Sequence, residues 1–186
     1  MERDKWSKKA RKEGYLARSS YKLLQLNKKY YLIKKGDKVL DLGCSPGSWT
    51  QVCLQLGADR VTGVDINEAK VSAKNFNFIL QDIYDLDIKK IGEFDVVLSD
   101  LAPRTSGIIN LDIEKSIDLS DRAFEIAKNV LKPEGNFLVK VFQGKGFDEL
   151  LKKIKKNFEF CKSSKPIASK KESKEIYIVC KGFKKK

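Results

Sequence analysis

Histidine is absent from this 186-residue chain, and with it go the commonest general base and the commonest metal-binding side chain. Any proton chemistry must fall to Lys, Asp, Glu or Tyr. Cysteine is scarce: Cys44, Cys53, Cys161 and Cys180 show no C-x-x-C spacing. The expectation is reduced thiols in a cytoplasmic protein, with no zinc or other metal site. No apolar run approaches the ~18 residues of a membrane span, and the N-terminus lacks the apolar core of a secretory signal, so no membrane partner is expected. Internal repeats are lacking too. The length suits one domain spanning residues 1–186, with residues 1–18 as a basic, flexible arm.

What the chain has in excess is positive charge, a formal net of +13. It is segregated: residues 1–35 carry +9, residues 36–150 carry −6 and residues 151–186 carry +10. Two basic flanks on a neutral-to-acidic centre point to a polyphosphate partner, against the plainer reading of solvated tails.

Short apolar runs predict strands at 38–42, 60–65, 76–80, 94–100, 136–142, 158–162 and 175–180. FDVVLSD (94–100) and NFLVKVF (136–142) are nearly continuous, as in strands covered on both faces. Leu23, Leu26 and Tyr30 recur at helical spacing behind Ser19 or Ser20 as N-cap. Further helices are predicted over 49–56, 112–131 (stopped by Pro133 and Gly135) and 146–156. The alternation implies an α/β, doubly wound, mostly parallel sheet.

The stretch that organises this pattern is Lys38 to Gln51, KVLDLGCSPGSWTQ. It reads as a strand, a tight turn with Gly43, Pro46 and Gly47, and a helix start, where glycines admit a ligand to the backbone and free N–H groups face it. The D-x-G-x-x-P-G turn is not the G-x-G-x-x-G fingerprint, and such turns also occur with no ligand. Its sequel strengthens it: RVTGVD (60–65) ends in Asp65, placed to bind a ribose diol, and Asp82 is a second acid just past a strand. Lys140 interrupts an apolar strand, where an unpaired ammonium is costly. Asp100, ending the preceding strand, is its natural partner, either as a structural ion pair or as part of a site.

Five ordered blocks carry a resemblance: R-S-S-Y-K-L (18–23), D-L-G-C-S-P-G-S-W (41–49), S-D-L-A-P (99–103) with S-G at 106–107, L-V-K-V-F-Q-G (138–144) with G-F-D-E at 146–149, and K-E-I-Y-I-V (174–179). From about Arg18 to Phe183 the chain resembles the FtsJ/RrmJ (RlmE) family of S-adenosylmethionine-dependent ribose 2′-O-methyltransferases. The resemblance implies a Rossmann-like class I methyltransferase domain with a seven-stranded sheet and an antiparallel last strand. It implies a catalytic tetrad of Lys22, Asp100, Lys140 and Glu175, and S-adenosyl-L-methionine contacts from Asp41, Gly43, Pro46, Gly47, Trp49, Asp65, Asp82 and Asp100. Without it, Lys22 would read as a surface lysine, Glu175 as a cross-strand partner of Lys174 with Glu172 as rival, and Trp49 equally well as core. Lys140 would hold the 2′-hydroxyl and either accept its proton or stabilise the alkoxide; the base role needs the neutral amine, a form that a second cation such as Lys22 would favour.

The implied substrate is RNA, first a large-subunit rRNA uridine of the A-loop type, with the tRNA anticodon loop as alternative. A non-catalytic ribosome-assembly factor and a nicotinamide-dependent dehydrogenase are the readings from other classes. Residues 67–76 depart from the family's bacterial pattern, which leaves the adenine contacts open. No appended RNA-binding domain is seen, so selection falls to this domain, its basic ends or a ribosomal context, and a monomer is expected.

Overall fold

The computed structural model describes residues 2–170 and 172–185, without side-chain detail for residues 2–4. The elements follow in the order α1 (Glu2–Lys12), α2 (Ser20–Tyr30), β1 (Lys38–Leu42), α3 (Ser48–Gln55), β2 (Arg60–Asp65), β3 (Phe76–Leu80), β4 (Phe94–Ser99), α4 (Ile109–Val130), β5 (Leu131–Phe142), α5 (Phe147–Lys155), β6 (Phe158–Ser164) and β7 (Glu175–Phe183). The seven strands form one sheet ordered β3-β2-β1-β4-β5-β7-β6. β7 lies antiparallel to both β5 and β6, and the other pairs are parallel.

The two-residue period of the strands divides the core. Leu40, Leu42, Val97, Val139, Val141, Ile176 and Ile178 meet α4 and α5 on one face. Val39, Val96, Leu98, Leu138, Tyr177 and Val179 meet α2 and α3 on the other. Each fully buried Leu, Ile or Phe contributes roughly 1.5–3 kcal/mol by leaving water, so the two clusters hold the sheet from both sides. Among the described residues, no helix is long and apolar enough to cross a membrane.

Three local expectations are corrected. The stretch expected as a flexible arm is helical over Glu2–Lys12, because Trp6 packs on Tyr21, with ring centroids 4.9 Å apart and planes tilted by 44°, and Ala10 is buried with Tyr21 and Ala168. Ser19 does not cap α2 with its side chain: its φ of −63° and ψ of −20° are already helical, and its hydroxyl meets that of Ser48 at 2.7 Å. Ser20 turns its hydroxyl back to the Ala17 carbonyl. Finally, α4 gives way to strand with no loop, since Leu131 pairs with Phe94. The expected stop residues lie inside β5 as a bulge, with Glu134 at φ 64° and a Cβ on Gly135 only 3.0 Å from the Asp95 carbonyl.

Candidate active site

The sheet order reverses between β1 and β4, where a doubly wound sheet opens a crevice at its carboxyl ends. Leu98 and Leu138, two residues before Asp100 and Lys140, lie in the core on the α2/α3 face, so strand alternation sends both charged side chains to that face. β7 brings Glu175 to the same end because it runs antiparallel: Lys140 is in register with Tyr177 and Phe142 with Glu175. Lys22 arrives from the first turn of α2, which is pinned to α3 where the Trp49 indole N–H donates to the Ser19 carbonyl at 2.9 Å.

These four side chains form two ion pairs. Lys22 Nζ donates to both oxygens of Glu175, at 2.6 and 2.8 Å. Lys140 Nζ lies 3.0 Å from Asp100 Oδ1 and 2.5 Å from the Asp100 carbonyl. Their side chains are between 7% and 17% exposed, which strengthens the pairing and demands it. Each lysine thus faces its own carboxylate, and Lys140 meets the Asp100 partner expected for it from the sequence. Both ammonium groups have three donors and use two in these contacts.

Tyr177 joins the pairs, and reasoning from sequence passed over it as one more apolar strand residue. Its hydroxyl donates to Asp100 Oδ1 at 2.9 Å and lies 3.4 Å from Glu175 Oε1. Burial, then the two carboxylates, push its pKa well above that of a free phenol, so it stays a donor. Ser169 also donates to Glu175 Oε1. The signal for Tyr177 was its spacing from Glu175: two residues along a strand share a face. Glu172 is exposed and Glu175 is the residue that meets Lys22.

The residues expected to hold a cofactor line the neighbouring turn. Gly43 has φ 77°, and a Cβ there would lie 3.1 Å from the Leu101 backbone nitrogen. Gly47, at φ 118°, starts α3 beneath Val71 and Leu16. Pro46 follows a cis peptide bond and accepts the Lys70 N–H. Asp65 Oδ2 accepts from the Ser45 N–H at 2.9 Å, and Oδ1 from the Asn67 backbone N–H at 2.8 Å and its side-chain amide at 3.2 Å; Oδ2 keeps a lone pair. Asp82 is exposed and fixes the turn at Tyr84. Trp49 is 2% exposed, with its ring 5.9 Å from that of Tyr177.

Asp41 is fully buried. Thr50 donates to its Oδ2 at 2.8 Å, while Oδ1 has no hydrogen-bond partner. Burial raises its pKa to about 7, against the Thr50 hydrogen bond. Beside the two free-standing acids, Ile66, Leu80 and Tyr84 stay more than half exposed, and Leu80 is in register with Asp65. A glycine cradle, a carboxylate with a lone pair to spare and an apolar ledge fit a nucleoside-bearing ligand.

Residues 15–183 match the model of the family described as FtsJ-like methyltransferase. The chain is 49% identical to "Ribosomal RNA large subunit methyltransferase E" of Archaeoglobus fulgidus, over 95% of this chain and 94% of that one. It is 47% identical to the protein of the same name from Methanothermobacter thermautotrophicus, over 99% and 92%. Among solved structures, one described as a ribosomal RNA methyltransferase of Plasmodium falciparum superposes with a TM-score of 0.78 at 29% identity, covering 91% of this chain and 99% of that one. On these matches, which take in every block that builds the crevice, the chain belongs to the FtsJ-like methyltransferase family.

Proposed function

We propose that this protein transfers a methyl group from S-adenosylmethionine to a ribose 2′-hydroxyl of RNA, and that its target is a uridine of large-subunit ribosomal RNA. The observation that carries the reading is the convergence of Lys22–Glu175 and Lys140–Asp100 on one face of the sheet, joined by Tyr177, beside the glycine turn. The names of the archaeal relatives support the choice of RNA.

Bound S-adenosylmethionine would supply an electrophilic sulfonium methyl. Gly43 and Gly47 would let it approach the backbone, Asp65 would accept from its ribose hydroxyls, and Asp82 with the Ile66 and Tyr84 side chains would border its base. The chain's own task is to hold a poor nucleophile in line, and such positioning supplies much of the acceleration in a two-reactant step. The third N–H of Lys140 is free to hold the 2′-hydroxyl oxygen and to stabilise negative charge growing there while the hydroxyl proton passes to water. Asp100, fixed by Tyr177, sets the direction of Lys140. Glu175 holds Lys22 in reach of the ribose or its phosphate.

The test is methyl transfer from labelled S-adenosylmethionine to ribosomal subunits, free large rRNA and tRNA in parallel, with the modified nucleoside identified. Label on a ribose of large-subunit rRNA, lost in Lys140→Ala, supports the proposal. Label confined to tRNA would move the target, and no transfer to any RNA despite cofactor binding would refute the reaction.

A further inference from the structure

At the other end of the sheet, away from the tetrad, lies a groove of about 570 Å³ between the end of α2, the start of β5 and the β6–β7 edge. From Glu175 to Gly182, β7 spans roughly 20 Å at about 3.3 Å per residue, so the groove does not belong to the crevice described above. Its floor is aromatic. Tyr31 is 71% and Phe160 39% exposed, and Tyr30 packs on Phe160 with ring centroids 6.0 Å apart. Lysines 29, 34 and 181 line it, with Glu134 and Glu159 as counter-charges.

Tyr31 is the informative residue. It occupies the left-handed position that ends α2, with φ 54°, where glycine or asparagine is usual and a bulky side chain is an outlier. The backbone around it is locked. Its N–H donates to the Asn27 carbonyl, Ile33 N–H to Asn27 Oδ1 at 2.9 Å, and Asn136 Nδ2 to the Leu32 carbonyl at 2.7 Å. Leu32 and Ile33 are buried on the far side. The chain therefore holds a large ring rigidly out in water, in a conformation that glycine would adopt with less strain. Lys29 Nζ stands 5.1 Å from the Tyr30 ring.

We infer that this groove is a second RNA-binding site, in which Tyr31 and Phe160 stack unpaired bases of the substrate and Lys29, Lys34 and Lys181 meet the adjoining phosphates. Rings that present a face to solvent beside cations are the recurring platform for single-stranded nucleic acid. The two carboxylates suit base edges that donate hydrogen bonds. α2 links the two sites directly, with Lys22 in its first turn and Lys29 and Tyr30 in its last. The inference takes its RNA substrate from the function proposed above and adds a second point of attachment, remote from the reacting ribose.

The test is fluorescence anisotropy of a labelled 20-nucleotide single-stranded RNA on the full chain, wild type against Tyr31→Gly and Phe160→Ala, with thermal unfolding measured alongside. Tyr31→Gly removes the ring and relieves the backbone, so its unfolding midpoint should equal or exceed that of wild type while RNA affinity falls roughly tenfold, the loss of about one stacked base. Unchanged affinity in both variants would overturn the inference, including in favour of a protein occupant. Methyl transfer by wild type separates the two claims: transfer with unaltered RNA binding in the variants defeats the groove alone, and weakened binding without transfer to any RNA defeats the proposed reaction alone.

Discussion

Tyr177 has one proton and two carboxylates within reach. Replacing it by Phe keeps the buried ring and removes a donor from Asp100. A hydrogen bond to a charged group contributes about 1.5–3 kcal/mol, so kcat should fall by roughly 10- to 100-fold with little change in cofactor affinity. An unaltered kcat would show that Lys140 alone fixes Asp100. Asp41 yields a prediction of the opposite kind. Its pKa is raised by burial to about 7, so the native state binds a proton more tightly than the unfolded chain does. That stabilisation is fully present below the ordinary carboxyl range near 4 and is lost as pH rises through 7. Thermal midpoints should drop between about pH 5 and 8 in wild type and stay flatter in Asp41→Asn; equal profiles would mean that Asp41 does not titrate in this window. Neither residue announced its role in sequence. Asp41 reads as part of a turn motif, and its burial depends on where Thr50 comes to lie; Tyr177 is a strand residue until strand pairing sets it beside Lys140.

The elements were legible in proportion to how local their causes are. β1, β2, β3 and β4 are apolar runs bounded by turn residues, and the structure keeps those bounds to within a residue. The start of β5 was hidden because Pro133 and Gly135 look like a helix stop, whereas pairing with β4 recruits them into a bulge. α1 was hidden because Trp6 and Ala10 are isolated among charges and gain partners only from α2 and the loop before β7. The glycine turn offers a test of its packing. A Cβ on Gly47 would stand 2.3 Å from Val71 Cγ2, in a conformation that also strains any side chain. Gly47→Ala should destabilise by roughly 1–3 kcal/mol, and adding Val71→Ala should recover part of it. Full additivity in denaturant melts would show that the two do not touch. On the sheet edge, Cys161 and Cys180 are cross-strand partners with Sγ atoms 2.8 Å apart. The Cys180 hydrogen bond lowers the Cys161 thiol, while burial raises Cys180. Iodoacetamide at mildly alkaline pH should label Cys161 first; earlier labelling of Cys44 or Cys53, both buried, would contradict this.

For the whole molecule, charge segregation was visible in the sequence, but not where the charge goes. α1 lies beside the loop that holds Ser169 and leads to Glu175, since Ala168 packs with Ala10 and Tyr21. Part of the C-terminal charge is spent internally: Lys153 pairs with Asp121 and Glu125, and Lys185 with Glu93. RNA affinity should therefore depend on fewer cations than the net charge suggests. A contact to four phosphates would lose roughly 100-fold between 50 and 200 mM salt, and a flat response would remove phosphate from the account. The placement of β7 has a consequence in time. Lys22 and Glu175 stand 153 positions apart, and the strand that carries Glu175 and Tyr177 is the last of the seven, entering between β5 and β6. While the chain is being synthesised, the cofactor turn and the Lys140–Asp100 pair can form early, but β6 has no neighbour and Lys22 no counter-ion until β7 emerges. The crevice that Lys22 and Glu175 share is thus complete only when the final strand closes the sheet.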